Sequence, residues 1–466
     1  MCLMRARSEA STCMSDVTGE IANLKPLAQA REQKAWYWYD WANSAYTTTI
    51  GTVFFGPYFI SLAENAVGGE DGRFEVAGLS LPPDSLFFWL ITVSTILSAV
   101  ILPPLGAYAD RVANKKRLLA TLAWTGAFFA ALIFFATGDN WQLAALGIVM
   151  GNLFFGAAGV VNDSILPLIS NEDERDRVSS RGWAFGYLGG GLLLVLNLAV
   201  YLGHDALGLS EGLAARLCML SAAVWWAGFT LIPYLRLRDH PPVDLEHVEG
   251  NALRRSFGQL AATLKDMRRY PMALTFLIAY LFFNDGIQTV IASASVFGAE
   301  ELGHPQEILI ATILMVQFVA FGGALIFGRL AGRWGAKRTI LFGLAIWCVI
   351  VTVALFLPAG NVPFFLILGA AIGIVLGGTQ ALARSYFSLL IPRGKEAEYF
   401  SFYHAMDRGT SWFGTATFGV VLAVTDSYRP AIFALIAFFV IGGLLLTRVD
   451  TERGIREAGN DVPAVI

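Results

Sequence analysis

Twelve apolar runs, each long enough to cross a bilayer as a helix, divide this chain, and short polar segments separate them. They fall near residues 36–63, 85–109, 118–137, 141–169, 183–203, 213–235, 272–299, 306–331, 339–357, 362–391, 400–424 and 430–448. The pattern predicts an all-α membrane protein of twelve transmembrane helices. One run breaks its own rule. Trp36 to Phe59, WYWYDWANSAYTTTIGTVFFGPYF, is apolar and aromatic yet holds Asp40, Asn43, Ser44, Thr47, Thr48 and Thr49. On a helix Asp40, Asn43 and Thr47 share a face, at steps of three and four. Such a stripe cannot look at lipid, where its polar groups lack water, so it is expected to face other helices or a wet cavity. Trp36 and Trp38 read as an interfacial belt, whereas Tyr46 lies deeper, beside Asn43.

The runs repeat. A shift of 222 residues carries Gly106 onto Gly328, Arg111 onto Arg333, Lys115 onto Lys337, and Gly147, Gly151 and Gly156 onto Gly369, Gly373 and Gly378. A shift of 241 aligns NSAYTTTI from Asn43 with NDGIQTVI from Asn284, the difference being close to the extra length of the Gly/Pro-rich loop 64–84. The expected organisation is a tail (1–35), a six-helix bundle (36–235), a basic linker (236–271) containing Arg254, Arg255 and Lys265, a second six-helix bundle (272–448) and a tail (449–466). Parallel six-helix repeats are a transporter architecture with the substrate path between them. The glycines at 186–191 and the Gly369, Gly373, Gly377 spacing predict close helix approach.

Composition adds class and charge adds orientation. With 56% hydrophobic residues, 15% charged ones and a mean hydropathy of +0.58, a soluble chain of 466 residues is excluded. With both termini on one side, all but Arg73, Arg216 and Arg429 of the 33 Lys and Arg fall there, which predicts cytoplasmic termini. The four cysteines have no metal-like spacing, and residues 1–30 lack the apolar core of a signal peptide. There is no GxxxxGK[ST] loop, no HExxH, no GxSxG and no surface suited to nucleic acid.

The most specific short signal is Gly106-x-x-x-Asp110-Arg111-x-x-x-Lys115-Lys116. Its cations hold a cytoplasmic loop, while Asp110 could cap a helix N-terminus or pair with an arginine, biasing one arrangement of the halves. Gly332 stands at the repeat position of Asp110. Asn284, Asp285 and Gln288 fall near mid-helix, where Asp285 either serves substrate or proton, or sits in a structural hydrogen-bond network. Asp40, Asp163, Arg384, His404, Asp407 and Arg408 share one depth near the cytoplasmic ends. Charges of both signs at one level read as a gate, although Arg384 could reach up to a substrate carboxylate.

Several blocks carry a family resemblance: GAYADRVANKK between helices 2 and 3, YDWANSAYTTTI at 39–50, RVSSRGWAFGYLGGGLLL at 177–194, NDGIQT at 284–289 and GGTQALARSYFSLLIP at 377–392. Together they resemble the major facilitator superfamily and, within it, the autophagy-related vacuolar effluxer-like family. The family commonly shows an Asn near Asp163, an acidic residue near His404 and an Asp in place of Gly332. The resemblance implies alternating-access transport, with a fungal branch associated with release of neutral amino acids from the vacuole. The expected protein is a monomeric transporter of a small organic solute, an exported amino acid favoured, in a prokaryotic plasma membrane, without a cofactor and with proton coupling open. Asn43, Tyr46, Thr47, Asn284, Asp285, Gln288 and Gln380 are expected to line its cavity above Arg384, with Gly106, Asp110 and Arg111 among the conformational residues. The rival reading is a non-transporting membrane sensor or assembly protein on the same fold; an intramembrane enzyme lacks a nucleophile or metal cluster.

Overall fold

A computed structural model describes residues 27–69, 72–76, 79–240, 266–409 and 412–466, so Arg254, Arg255 and Lys265 lie outside the described residues. Helix α1 (27–67) is α-helical to residue 45, π-helical over Tyr46–Phe54 and α-helical again over Phe55–Val67. A short hairpin, β1 (Phe74–Val76) paired antiparallel with β2 (Leu79–Leu81), precedes α2 (Pro83–Ala109). There follow α3 (Lys115–Leu132), α4 (Trp141–Ile169), α5 (Arg175–Leu202), α6 (Glu211–Arg236), α7 (Pro271–Val296), α8 (Gln306–Trp334), α9 (Ala336–Leu355) and α10 (Val362–Leu389). In the eleventh apolar run helix is described over Glu396–Gly409, called α11, and over Trp412–Thr425, called α12; the last run comprises α13 (Tyr428–Ala434) and α14 (Ile436–Thr447), before the short α15 (Thr451–Glu457). Among the described residues ten helical spans are long and apolar enough to cross a bilayer, and α1 and the α11–α12 pair occupy the other two places in the pattern.

Local chemistry sets the helix starts. Asn140 before α4 and Asn361 before α10 each accept a bond from the backbone N–H three residues on, at 3.4 and 3.2 Å, as does Ser210 before α6 at 3.4 Å. Proline begins α2 and α7, where its missing N–H costs nothing. Outward rows of Phe88, Trp89 and Ile96 on α2, and of Leu231 and Leu235 on α6, stay exposed, as a lipid-facing surface requires.

Two aromatic cores result. One gathers Trp36, Tyr39, Tyr46 and Trp226 from α1–α6, and the other Phe276, Phe283, Trp347 and Tyr386 from α7–α14. The predicted glycine faces act where the helices touch. A Cβ at Gly186 would come within 2.6 Å of Ser44 Oγ, and one at Gly373 within 3.0 Å of Val319, so α5 lies on α1 and α10 on α8.

Both ends of the described chain lie on one side, called here the tail side. The C-terminal residues hold on there: Asn460 Nδ2 donates to the carbonyls of Leu389 and Ile391, both at 2.9 Å, and Ala464 N–H donates to Asp173 at 2.7 Å.

Candidate functional site: a buried arginine node beneath an apolar crevice

Arg384, near the tail-side end of α10, is buried and spends its donors on the first six helices. Its Nη2 lies 3.0 Å from Asp40 Oδ2 on α1, its Nη1 3.0 Å from Asp163 Oδ1 on α4, and its Nε donates to Ser179 Oγ on α5 at 3.0 Å. Nη2 also donates to the Ser179 carbonyl at 3.0 Å. Asp163 presents its second oxygen to His404 Nε2 on α11 at 2.9 Å. Asn162 Nδ2 donates to Asp40 at 3.2 Å, so each carboxylate is held from both sides. Such a cluster survives in a low-dielectric interior only because every charge meets an opposite one at bonding distance.

The guanidinium is also sandwiched, with its carbon 4.7 Å from the Trp36 ring and 5.5 Å from that of Trp183. This corrects the interfacial-belt expectation. Trp36 is fully buried, its Nε1 donates to the Asn162 carbonyl at 2.9 Å, and Trp38 stacks on Phe229. An aromatic residue near a helix end reads as a belt when the cation it covers is distant in sequence. Gly182 makes room for the node, since a Cβ there would come within 2.7 Å of Trp36 and 3.0 Å of Arg384.

One turn further into the bundle, Tyr187 on α5 donates to Gln380 Oε1 on α10 at 3.1 Å. Beyond it lies an apolar crevice whose walls include Leu376 and Ile372 of α10, Gln317 of α8, Ile291 of α7 and Thr52 of α1. The chain is therefore bonded across its two six-helix sets on the tail side, and the crevice beyond that level is walled mainly by the second set.

The sequence-derived candidates separate into three environments. Asp40, Asp163, Arg384 and His404 meet in the node. Asp407 does not, contrary to expectation: it lies one turn along α11 from His404 and accepts from Asn284 Nδ2 at 2.6 Å and from the Tyr280 hydroxyl at 3.3 Å. The side chain of Arg408 lies outside the described residues.

Asp285 is buried away from the crevice. Its Oδ2 accepts from Gly414 N–H at 2.7 Å, in the first turn of α12. Of the two readings left open for it, the structural one matches this hydrogen bond, in which the carboxylate is held by a backbone N–H of the eleventh run. Tyr46 also turns away, donating to Asn152 at 2.9 Å inside the first core. The helix is π-helical from Tyr46, with Thr47 exposed and Thr48 and Thr49 buried. Asn43 and Gln288 are half-buried.

On the tail side a second contact joins the two helix sets. Asp110 accepts from the N–H groups of Ala397 at 2.9 Å and Glu398 at 2.8 Å, and pairs with Lys115 at 3.0 Å. It caps α11 across the interface, one of the two roles its position suggested. Gly106 lies flush against this turn, its added Cβ 2.7 Å from Ser401. Exposed Arg111 adds its positive field to Glu398. These carboxylates precede the apolar run at 400–424. Burial pushes the Glu398 carboxyl up to about 7, and it raises Asp110 and Glu396 as well.

The whole described membrane region has relatives. A family profile described as "Vacuole effluxer Atg22 like" matches residues 28–459. An uncharacterized MFS-type transporter of Bacillus subtilis, YxiO, is 30% identical over 93% of this chain and 98% of its own. Autophagy-related protein 22 of Kluyveromyces lactis is 27% identical over 80% of this chain and 81% of its own. Among solved structures, the E. coli fucose:proton symporter FucP matches with a TM-score of 0.65 at 16% identity, covering 90% of this chain and 98% of its own. The proton:xylose symporter XylE matches with a TM-score of 0.67 at 14% identity, over 91% and 96%. These two share the fold. With the profile spanning nearly every helix and a relative alike from end to end, this chain belongs to the Atg22-like effluxer family and is a multi-pass transporter of the major facilitator type, not an enzyme.

Proposed function

We propose that this protein exports a small zwitterionic solute of the amino-acid class by alternating access between two six-helix halves, residues 36–235 and 272–448, joined by the segment 236–271. The observation that carries the reading is the arginine node. Arg384 belongs to the second half, and Asp40, Asp163 and Ser179 to the first. These bonds can hold only while the tail side is shut, which supports reading the node as a gate. The lysine and arginine bias supports a cytoplasmic tail side with both termini inside, and we take the protein as a monomer in a plasma membrane.

In this reading Asn43, Gln288 and the Tyr187–Gln380 pair offer neutral donors and acceptors to the substrate, and the Asn284–Asp407 pair offers an anion to its ammonium. Proton linkage fits the node better than Asp285, whose carboxylate accepts from Gly414 N–H. Two carboxylates there face one guanidinium, and His404 Nε2 lies 2.9 Å from Asp163.

The test is counterflow in proteoliposomes across a panel of labelled amino acids and small metabolites. Wild-type protein is expected to exchange at least one amino acid, and Arg384→Gln to abolish that exchange. No movement of any panel member by the wild type would sink the reading.

A further inference from the structure

The seam between α5 and α8 carries charge that transport leaves unused. Arg177 and Arg181 on α5, and Arg329 and Arg333 on α8, line one open cleft at the tail-side end of the bundle. Two carboxylates share its wall, and both are engaged. Glu174 accepts from Gln29 at 2.8 Å and Gln33 at 3.0 Å and pairs with Arg177 at 3.2 Å, while Asp173 accepts from Ala464 N–H at 2.7 Å. Among the described residues no carboxylate lies within ion-pairing distance of Arg181, Arg329 or Arg333. Among the described residues Arg329 donates only to the Leu325 carbonyl of its own helix, at 3.5 Å.

The floor of the cleft is polar and unfilled. Ser180 is buried, its Oγ has no hydrogen-bond partner among the described residues, and it lines the same cleft. It lies flush against Gly328, whose added Cβ would stand 2.6 Å from it, so α5 and α8 meet there without side-chain bulk between them. Four guanidinium groups against two engaged carboxylates leave a surplus of two positive charges around an unsatisfied hydroxyl.

Position decides what anion this is. Arg329 and Arg333 occupy the last turns of α8, a membrane-spanning helix, beside exposed Trp334 and one turn beyond exposed Ile326. An aromatic ring at a helix end and an apolar row leading inward mark headgroup depth, with hydrocarbon below. We propose that the cleft binds the phosphate of an anionic glycerophospholipid in the tail-side leaflet. The arginine forks hold the phosphate oxygens, and the acyl chains lie along the Ile326 row. Because α5 and α8 belong to different six-helix sets, one bound lipid ties both together while the arginine node is closed. This site is separate from the transport path and does not depend on the identity of the solute.

The experiment uses the full chain purified in detergent and stripped of lipid, with melting temperature and retained lipid by native mass spectrometry as readouts. Phosphatidylglycerol is expected to raise the melting temperature and remain bound, and phosphatidylcholine to do neither. In R329Q/R333Q, whose side chains make no ion pair to lose, retention of phosphatidylglycerol is expected to weaken about tenfold. R453Q/R456Q makes the same charge change on α15, away from the cleft, and is expected to retain lipid as the wild type does. Three results would each overturn the proposal: undiminished retention in R329Q/R333Q, an equal loss in R453Q/R456Q, or inorganic phosphate alone reproducing the thermal shift.

Discussion

The two seams that join the six-helix sets on the tail side are built to opposite rules. Where α2 meets α11, a carboxylate does the joining: Asp110 caps the N–H groups of Ala397 and Glu398 and neutralises Lys115. Where α5 meets α8, the repeat-equivalent position is Gly332, exposed, with open space where a side chain would stand. The first seam is closed by its own anion and the second is left with arginines in excess. A duplicated scaffold has kept the cations in both copies and the anion in one. Duplicated halves can thus reach the same closed arrangement through unequal bonds, so mutations at matching positions are expected to have unequal consequences.

The largest effect lies at the node above both seams. Arg384→Ala leaves Asp40 and Asp163 buried without their cation, which is expected to cost about 3–5 kcal/mol of the closed arrangement. Accessibility of cysteines placed around the node from the tail side should rise, and transport should be lost. Asp110→Asn tests the first seam. It keeps one acceptor oxygen but gives up the charge that holds buried Lys115 and the α11 terminus, an expected loss of about 1–3 kcal/mol, visible as a lower melting temperature.

Acidity sharpens the contrast further. An exposed glutamate titrates near 4.5, whereas the Glu398 carboxyl at the first seam is pushed up to about 7 by burial. The closed arrangement therefore binds this proton more tightly than an open one does. That favour is complete below 4.5 and is lost as pH rises through 7. Tail-side accessibility should increase over that window in the wild type, and Glu398→Gln should flatten the dependence. An unchanged profile in Glu398→Gln would remove this carboxyl from the account. The smallest effect is the most pointed: Gly332→Asp restores an anion to the second seam, where nothing obstructs it. A gain of about 0.3–1 kcal/mol in thermal stability is expected, with a weaker response to phosphatidylglycerol.

Much of this was readable in advance, for reasons that also explain the failures. Spans and repeat follow from the alternation of apolar runs with charged loops, because lipid tolerates no other pattern. The node was legible as a depth: Asp40, Asp163, Arg384 and His404 fall at one level of their helices, but sequence could not say that Trp36 and Trp183 would cover the guanidinium. The contact of Asp285 with the Gly414 backbone N–H joins positions 129 residues apart, which the face of neither helix reveals. Tyr46 turns into the first core, where it donates to Asn152, a partner 106 residues away that spacing does not reveal.

The two indoles around Arg384 have a practical consequence. A cation held 4.7 Å from one ring and 5.5 Å from the other perturbs their emission, and parting the halves would replace it with water. The protein thus carries its own fluorophore at the point that opens. The difference spectrum between the parent and Trp183→Phe would report the cycle in unlabelled material, in real time, with any solute added to either face of the membrane.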